Sequence, residues 1–423
     1  MRKLLLFSLL LFISCISFSQ NTRIDKLKVY LDCTRGWLCD FDYVRSEMLM
    51  VDFVRDRFNA DVHVLVNMQS SSSGGTQSQM NFIGLKTFSS LTDTLTFYND
   101  PTSTEDEQRK KLVHHLKLGL TRYIAKTKAG EQLSISFTGT NTTKDSSVTI
   151  KKDPWNYWVF QLSTSGSLNG NANYKNRSAY GSFSADRETE NWKINGYLSL
   201  SKNVEIYKQD SLESKFERKS YDGNLQVAKS INQHWSYGLS ASYENSLFSN
   251  YRAAYKLQPK IEYSFFPYTT FNSQRIVLQY MIGPAYYNYY DTTVYFKDKE
   301  WQIQQSVRMI TSFTKPWGSI NVGISYANYF DDFSKNNLSF NGAVSWKIVK
   351  GLNFALWGNY GLIHDQINIR KGRASRDEIL LRNRELESSF EYNLGVGFSY
   401  RFGSILNNIV NPRFRGLSYS INL

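Results

Sequence analysis

Residues 388–403 read "SSFEYNLGVGFSYRFG", and their apolar and polar positions alternate without a break. Phe390, Tyr392, Leu394, Val396, Phe398, Tyr400 and Phe402 are large and apolar. Glu391, Asn393, Gly395, Gly397, Ser399, Arg401 and Gly403 are polar or small. A period of two predicts a β-strand, because successive side chains leave opposite faces of a sheet. Strands of soluble sheets average about 5–6 residues. A strand that crosses a bilayer needs about 9–11, tilted, with lipid-facing and lumen-facing residues in alternation.

The same pattern recurs through the C-terminal part of the chain. Trp235, Tyr237, Leu239, Ala241 and Tyr243 alternate with Ser236, Gly238, Ser240 and Ser242. Tyr255, Leu257, Pro259, Ile261, Tyr263 and Phe265 alternate with Lys256, Gln258, Lys260, Glu262 and Ser264. Comparable runs start at Ile320 and Leu338. Short connections ("NQH", "PYTTFNSQ", "KPWGS", "VKGLN") interchange with longer polar ones ("YKQDSLESKFERK", "YDTTVYFKDKE", "RKGRASRDEILLRNRELES"). Aromatic residues gather near strand ends, as at Trp155, Tyr157 and Trp158. Short turns on one side, long loops on the other and aromatic girdles predict an antiparallel transmembrane β-barrel of about 12 strands over residues 155–403. The segment 404–423 reads either as a tail beyond the last strand or as an extra strand, with Pro412 favouring the tail.

Residues 26–150 follow a different pattern. "KLKVYLDC" predicts a strand. "CDFDYVRSEMLMVDFVRDRF" predicts an amphipathic helix capped by Asp40, with Val44, Met48, Val51 and Val54 on one face. "ADVHVLVNMQ" and "SQMNFIGL" predict a hairpin around "SSSSGGTQ". "TEDEQRKKLVHHLKLGLTRYI" predicts a second helix with Thr104 and Glu107 as a capping box, and "EQLSISFTGT" a last strand. These elements make a small α+β domain, expected in the periplasm.

The chain opens "MRKLLLFSLLLFISCISFSQ", a basic start, an apolar stretch and small residues. Residues 1–19 thus predict a secretory signal peptide, with Cys15 in a crude lipobox. Export places Cys33 and Cys39 in an oxidising compartment, where so close a pair is expected to form a disulfide. Two packed free thiols are the alternative.

Charge changes the picture little. The 423 residues hold 50 Lys and Arg against 37 Asp and Glu, a formal +13. The basic residues are scattered and no nucleic-acid motif appears, so no nucleic-acid partner is expected. No cofactor or catalytic constellation emerges. His63 lies opposite the apolar face of its strand, His114 and His115 point apart on a helix, and His234 and His364 have no nucleophile motif beside them. Asp32, Asp40 and Asp42 cluster in sequence without calcium-loop spacing. The charges assigned to the lumen are Arg252, Lys256, Lys260, Glu262, Arg275, Arg308, Lys347, Glu391 and Arg401. They read as an internal ion-pair network, or as the lining of a narrow channel for anionic solutes.

The segments "VYLDC", "CDFDYVRSEM", "ADVHVLV", "FIGL", "DPWNYWVF" and "FGSILNNIVNPRF" resemble an uncharacterised Bacteroidota-type outer-membrane β-barrel family with an N-terminal periplasmic α+β domain. The order of the first domain is also similar to the periplasmic domains of TolB and the curli secretion channel. The resemblance implies a Gram-negative outer membrane, its lipid as surroundings, the barrel-assembly machinery as a biogenesis partner and a periplasmic protein as a possible partner. It transfers no activity and no functional residues. The function expected from the sequence is non-enzymatic docking, with a porin-like channel as the alternative.

Overall fold

A computed structural model describes residues 26–33, 39–70, 75–100, 102–136, 153–209, 212–375 and 384–404, with Leu406, Val410 and Arg413. The signal segment, Cys15 and almost all of the C-terminal tail lie outside the described residues. The protein is mainly β and holds two sheets, one of five strands and one of twelve.

The five-stranded sheet has β1 (Leu27–Cys33) between β2 (Val51–Phe53) and β3 (Val62–Ser70), both parallel to it. Strands β4 (Thr76–Gly84) and β5 (Thr92–Asn99) follow β3 as an antiparallel meander. Alternate residues of β1 and β3, namely Leu27, Val29, Leu31, Val62, Val64 and Val66, face a core closed by α1 (Phe41–Glu47) and α2 (Glu105–Ile124). Helix α2 starts at the capping box foreseen from its sequence: the Thr104 side chain takes Glu107 N–H, and the Glu107 carboxylate takes Thr104 N–H at 2.8 Å. Its buried stripe is Leu112, Val113, Leu116, Leu120, Tyr123 and Ile124. Gly119 on that stripe lets the Phe82 ring come against the helix, where a β-carbon would meet the ring at 2.0 Å. Cys33 and Cys39 are joined by a disulfide.

Two expectations for this domain need correction. The first helix ends at Glu47, and Val51–Phe53 is an edge strand beside β1. Val44, Met48, Val51 and Val54 are all buried as foreseen, because a helical turn followed by a buried strand satisfies the same three- and four-residue spacing. Strand β5 was not foreseen, since its Thr- and Asp-rich exposed face hides the alternation. The strand expected from "EQLSISFTGT" is absent over residues 133–136, where the chain leaves a short 3-10 turn (Lys128–Gln132). Its remainder lies outside the described residues.

The large sheet is an up-and-down antiparallel meander in sequence order: β6 (Trp158–Gly170), β7 (Tyr174–Glu188), β8 (Trp192–Gln209), β9 (Leu212–Ser230), β10 (Trp235–Ser246), β11 (Tyr251–Ser264), β12 (Gln274–Tyr289), β13 (Lys299–Lys315), β14 (Gly318–Tyr329), β15 (Asn336–Val349), β16 (Leu352–Ile363) and β17 (Phe390–Tyr400). The count of twelve matches the sequence expectation. The sheet is open: among the described residues β6 pairs only with β7 and β17 only with β16. "YKQDSLESKFERK" is not a long loop, because β8 and β9 run on through it to a connection at 210–211. Connections at one end of the sheet (189–191, 231–234, 316–317, 350–351) are tight, and 265–273 there carries a 3-10 turn. The opposite end carries 290–298, 330–335 and the longest, 364–389.

Candidate functional site

The concave face of the twelve-stranded sheet is the polar one. On β10 the exposed Trp235, Tyr237 and Leu239 alternate with half-buried Ser236, Gly238 and Ser240. On β11 Tyr255, Leu257 and Ile261 are exposed, while Lys256, Lys260 and Glu262 lie on the shielded side. No helix among the described residues is long and apolar enough to cross a membrane.

Lys256 sits 5.9 Å from the centroid of the Tyr287 ring. Lys260 donates to Gln226 at 3.2 Å. Glu262 accepts from Tyr268 at 2.8 Å and from Gln279 at 2.5 Å. Tyr268 stands in the turn after β11, and burial together with the Glu262 carboxylate pushes its phenol up to about 12. Arg275 lies beside Tyr268, and Arg308 is opposite Gln279 in the β12–β13 register. Glu391 faces Gly361 on the edge pair β16–β17. Arg252 departs from the expected lumen position. A bulge between Tyr251 and Ala253 shifts the alternation, and Arg252 is exposed with its guanidinium 5.5 Å from the Tyr290 ring centroid. Lys347 and Arg401 stand at the tight-turn end, described below. Among the described residues no two of the nine pair with each other. A concave ion pair that sequence reasoning missed is Arg218 with Glu205, the latter also accepting from Tyr207 at 3.0 Å.

At the long-loop end the concave side is filled. Tyr251, Tyr287, Tyr289 and Tyr329 pack with Ala254 and Ala285, and Ile367 from the 364–389 connection closes the cluster at 1% exposure. The connection is fastened to two other connections, 247–250 and 290–298, remote from it in sequence. Asn250 donates to the Asn368 carbonyl at 2.9 Å, Asn368 donates to the Ser249 carbonyl at 3.0 Å, and Arg370 bridges to Thr293. Length alone marked this segment as a loop, and nothing in its polar sequence revealed that it folds across the sheet.

At the tight-turn end the small domain docks. Its β1–β3 face opposite the helices carries Tyr30, Asp32 and His63. Lys347 of β15 reaches this face, pairing with Asp32 and lying 4.9 Å from the Tyr30 ring centroid. His63, 1% exposed, bonds Asp32 through Nε2 at 3.2 Å. Burial pushes the His63 imidazole below its ordinary value, and the nearby Lys347 and Arg57 cations reinforce this against the pull of Asp32. Burial opposes ionisation of Asp32, yet the His63 hydrogen bond and the Lys347 ammonium outweigh it and hold the carboxyl below its usual range. Burial raises the Tyr30 phenol. Asp56 joins the two parts again by accepting Gly351 N–H at 2.5 Å, and Val54 bridges to Leu406 just past β17. An open cleft of about 400 Å3 remains between the small domain and the β15–β17 ends.

The other candidates are structural. Asp40 caps α1 by accepting Tyr43 N–H at 3.0 Å, and Asp42 pairs with Arg45 at 3.1 Å, so the three aspartates of the 32–42 stretch serve three separate tasks. His115 stacks on Phe97, and His234 bonds the Ser264 carbonyl. The described residues contain no cluster of three side chains suited to a metal ion. No protein-family model matches the chain, and no curated protein matches it.

Proposed function

We propose that the twelve strands close into an outer-membrane β-barrel through β6 and β17, and that the protein is a non-enzymatic envelope protein holding its small domain at the periplasmic mouth. The observation that carries this reading is the continuous outward apolar surface of an even-stranded meander. Leu198 and Leu200 on β8, Leu257 and Ile261 on β11 and Val396 and Phe398 on β17 all stand exposed on one face. A soluble protein rarely leaves a contiguous apolar patch beyond a few hundred Å2 uncovered. Lipid is the solvent that suits such a face, and closure removes the unpaired edges that lipid cannot satisfy. With twelve strands, β6 and β17 run antiparallel and can pair.

The docked domain then serves partners from the periplasm. One face of its sheet is taken by helices and the other by the barrel mouth, and among the described residues the β5 edge has no second strand, which suits it to an added strand of a partner protein. The channel reading fits less well, because tyrosines and Ile367 fill the concave face at the long-loop end.

Closure is testable in membranes. Ser163→Cys, Ser165→Cys or Ser167→Cys on β6, each combined with Asn393→Cys on β17, all occupy shielded-face positions of the two edges. One of the three pairs should cross-link within a single chain under mild oxidation. Cross-links found only between chains would mean that the open edges serve an assembly of several copies instead.

A further inference from the structure

We infer that the cleft between the small domain and the barrel foot binds a phosphate-bearing anion. Arg55, Arg57, Lys347, Lys350 and Arg401 line it, with Asp56 as the carboxylate among them. Two parts of the chain far apart in sequence thus contribute cations to one concavity. The one acid lining the cleft is held by backbone N–H groups. Asp56 Oδ1 accepts Phe58 N–H at 2.9 Å and Oδ2 accepts Gly351 N–H, so each oxygen is held by backbone. Lys347 is paired with Asp32. The other four cations have no carboxylate partner among the described residues. Arg57 is half-buried, its Nε has no hydrogen-bond partner among the described residues, and its guanidinium lies 4.8 Å from the Phe58 ring centroid.

Five cations and one carboxylate line the cleft, a net positive charge that an anion bound between them offsets. Arginine forks match tetrahedral oxyanions through paired hydrogen bonds. The size of the cleft, about 400 Å3, suits a phosphate with a small organic group attached. Tyr400 and Phe402 stand beside it, their rings stacked at 5.6 Å and both exposed. Exposed aromatics next to basic residues mark the headgroup level of a bilayer, so an anionic phospholipid of the adjacent leaflet is the favoured source of the phosphate. Free phosphate anions are the other source.

The test uses the full chain, purified in detergent, and the doubly neutralised variant Arg57→Gln/Lys350→Gln. Both are offered phosphatidylglycerol, phosphatidylcholine and inorganic phosphate, with bound lipid counted by native mass spectrometry and phosphate binding measured by calorimetry. The wild type should retain phosphatidylglycerol over phosphatidylcholine, and the variant should lose at least tenfold in that retention. Phosphate binding that falls in the variant, with lipid retention unchanged, supports the anion site with a free ligand as its source. Equal binding by wild type and variant in both arms overturns the site. Heat-modifiable gel mobility of the same samples reports whether the barrel is folded, so a failure of the barrel reading is visible separately. Arg401→Gln, at the end of an edge strand, is the milder second variant, and it should weaken the same binding if the double variant does not fold.

Discussion

Gly395 and Gly397 occupy neighbouring shielded positions of β17, yet they do different work. The Trp357 indole of β16 lies over both. A β-carbon at Gly395 would meet its Cε2 at 2.3 Å, whereas one at Gly397 would stand 3.5 Å from the ring. The indole is 48% exposed, so relieving that overlap means turning it off the strand rather than repacking a core. Gly395→Val should therefore displace the indole, shift its fluorescence and lower the melting temperature of the folded protein in detergent, while Gly397→Ser changes little. Equal melting of the two variants would remove the indole contact as the cause. A second residue-scale prediction concerns acid. His63 is held below its ordinary 6.5, so unfolding takes up a proton at pH values between the two states' pKa values. Stability is then fully present above about pH 6.5 and falls as the pH drops through the lowered value. Asp32, held below its ordinary 3.8, adds a second loss that begins only near that pH. Thermal melting of the whole chain followed from pH 8 to 4 should show the first loss, and His63→Gln should remove much of it. An unchanged acid slope in His63→Gln would assign the loss to other groups.

Element by element, the large sheet was far more legible than the small one. Period-two alternation over β10, β11, β14, β15 and β17 survives because each of those strands has one wholly apolar face. No tertiary context competes with that signal. In the small domain, burial on both sides blurs the period. Strand β3 is buried at six consecutive positions, Val62–Asn67, so periodicity could not tell which face meets the helices and which meets the large sheet. Strand β2 is three residues long and borrows its stability from β1. His63 was legible only as a residue opposite the apolar face. That this second face is covered by Lys347, hundreds of residues later, has no local signature. For β17 the expectation from alternation can be tested directly. Phe398→Arg places a cation on the outward face, at about 2–4 kcal/mol if that face meets the bilayer midplane. Membrane assembly, read from heat-modifiable mobility, should drop sharply for Phe398→Arg and stay near wild type for Ser399→Arg on the shielded face. Equal tolerance of both would count against lipid on the outward face.

At the scale of the whole molecule, the two ends of the sheet are closed by different means. The small domain is fastened to the tight-turn end through Asp32–Lys347 and Asp56–Gly351, both polar and both joining parts remote in sequence. The opposite end is filled from within by tyrosines and from above by the 364–389 connection. If the twelve strands close, the barrel lies between the eight that just enclose packed side chains and the sixteen typical of an aqueous channel. Whether such a barrel conducts is therefore decided by what fills it. Here the filler is the tyrosine layer together with the 364–389 connection, which Asn250, Ser249 and Thr293 hold and whose Ile367 packs on the tyrosines. Replacing residues 366–385 with a short Gly-Ser linker removes Ile367 and Asn368 and leaves β16 and β17 in place. The wild type should show no steady conductance in a planar bilayer, and the shortened variant should show small openings. If the wild type already conducts, the connection is not a seal. If the shortened variant is folded and still silent, the tyrosine layer of Tyr251, Tyr287, Tyr289 and Tyr329 closes the barrel unaided, and the barrel serves as an anchor for the periplasmic domain.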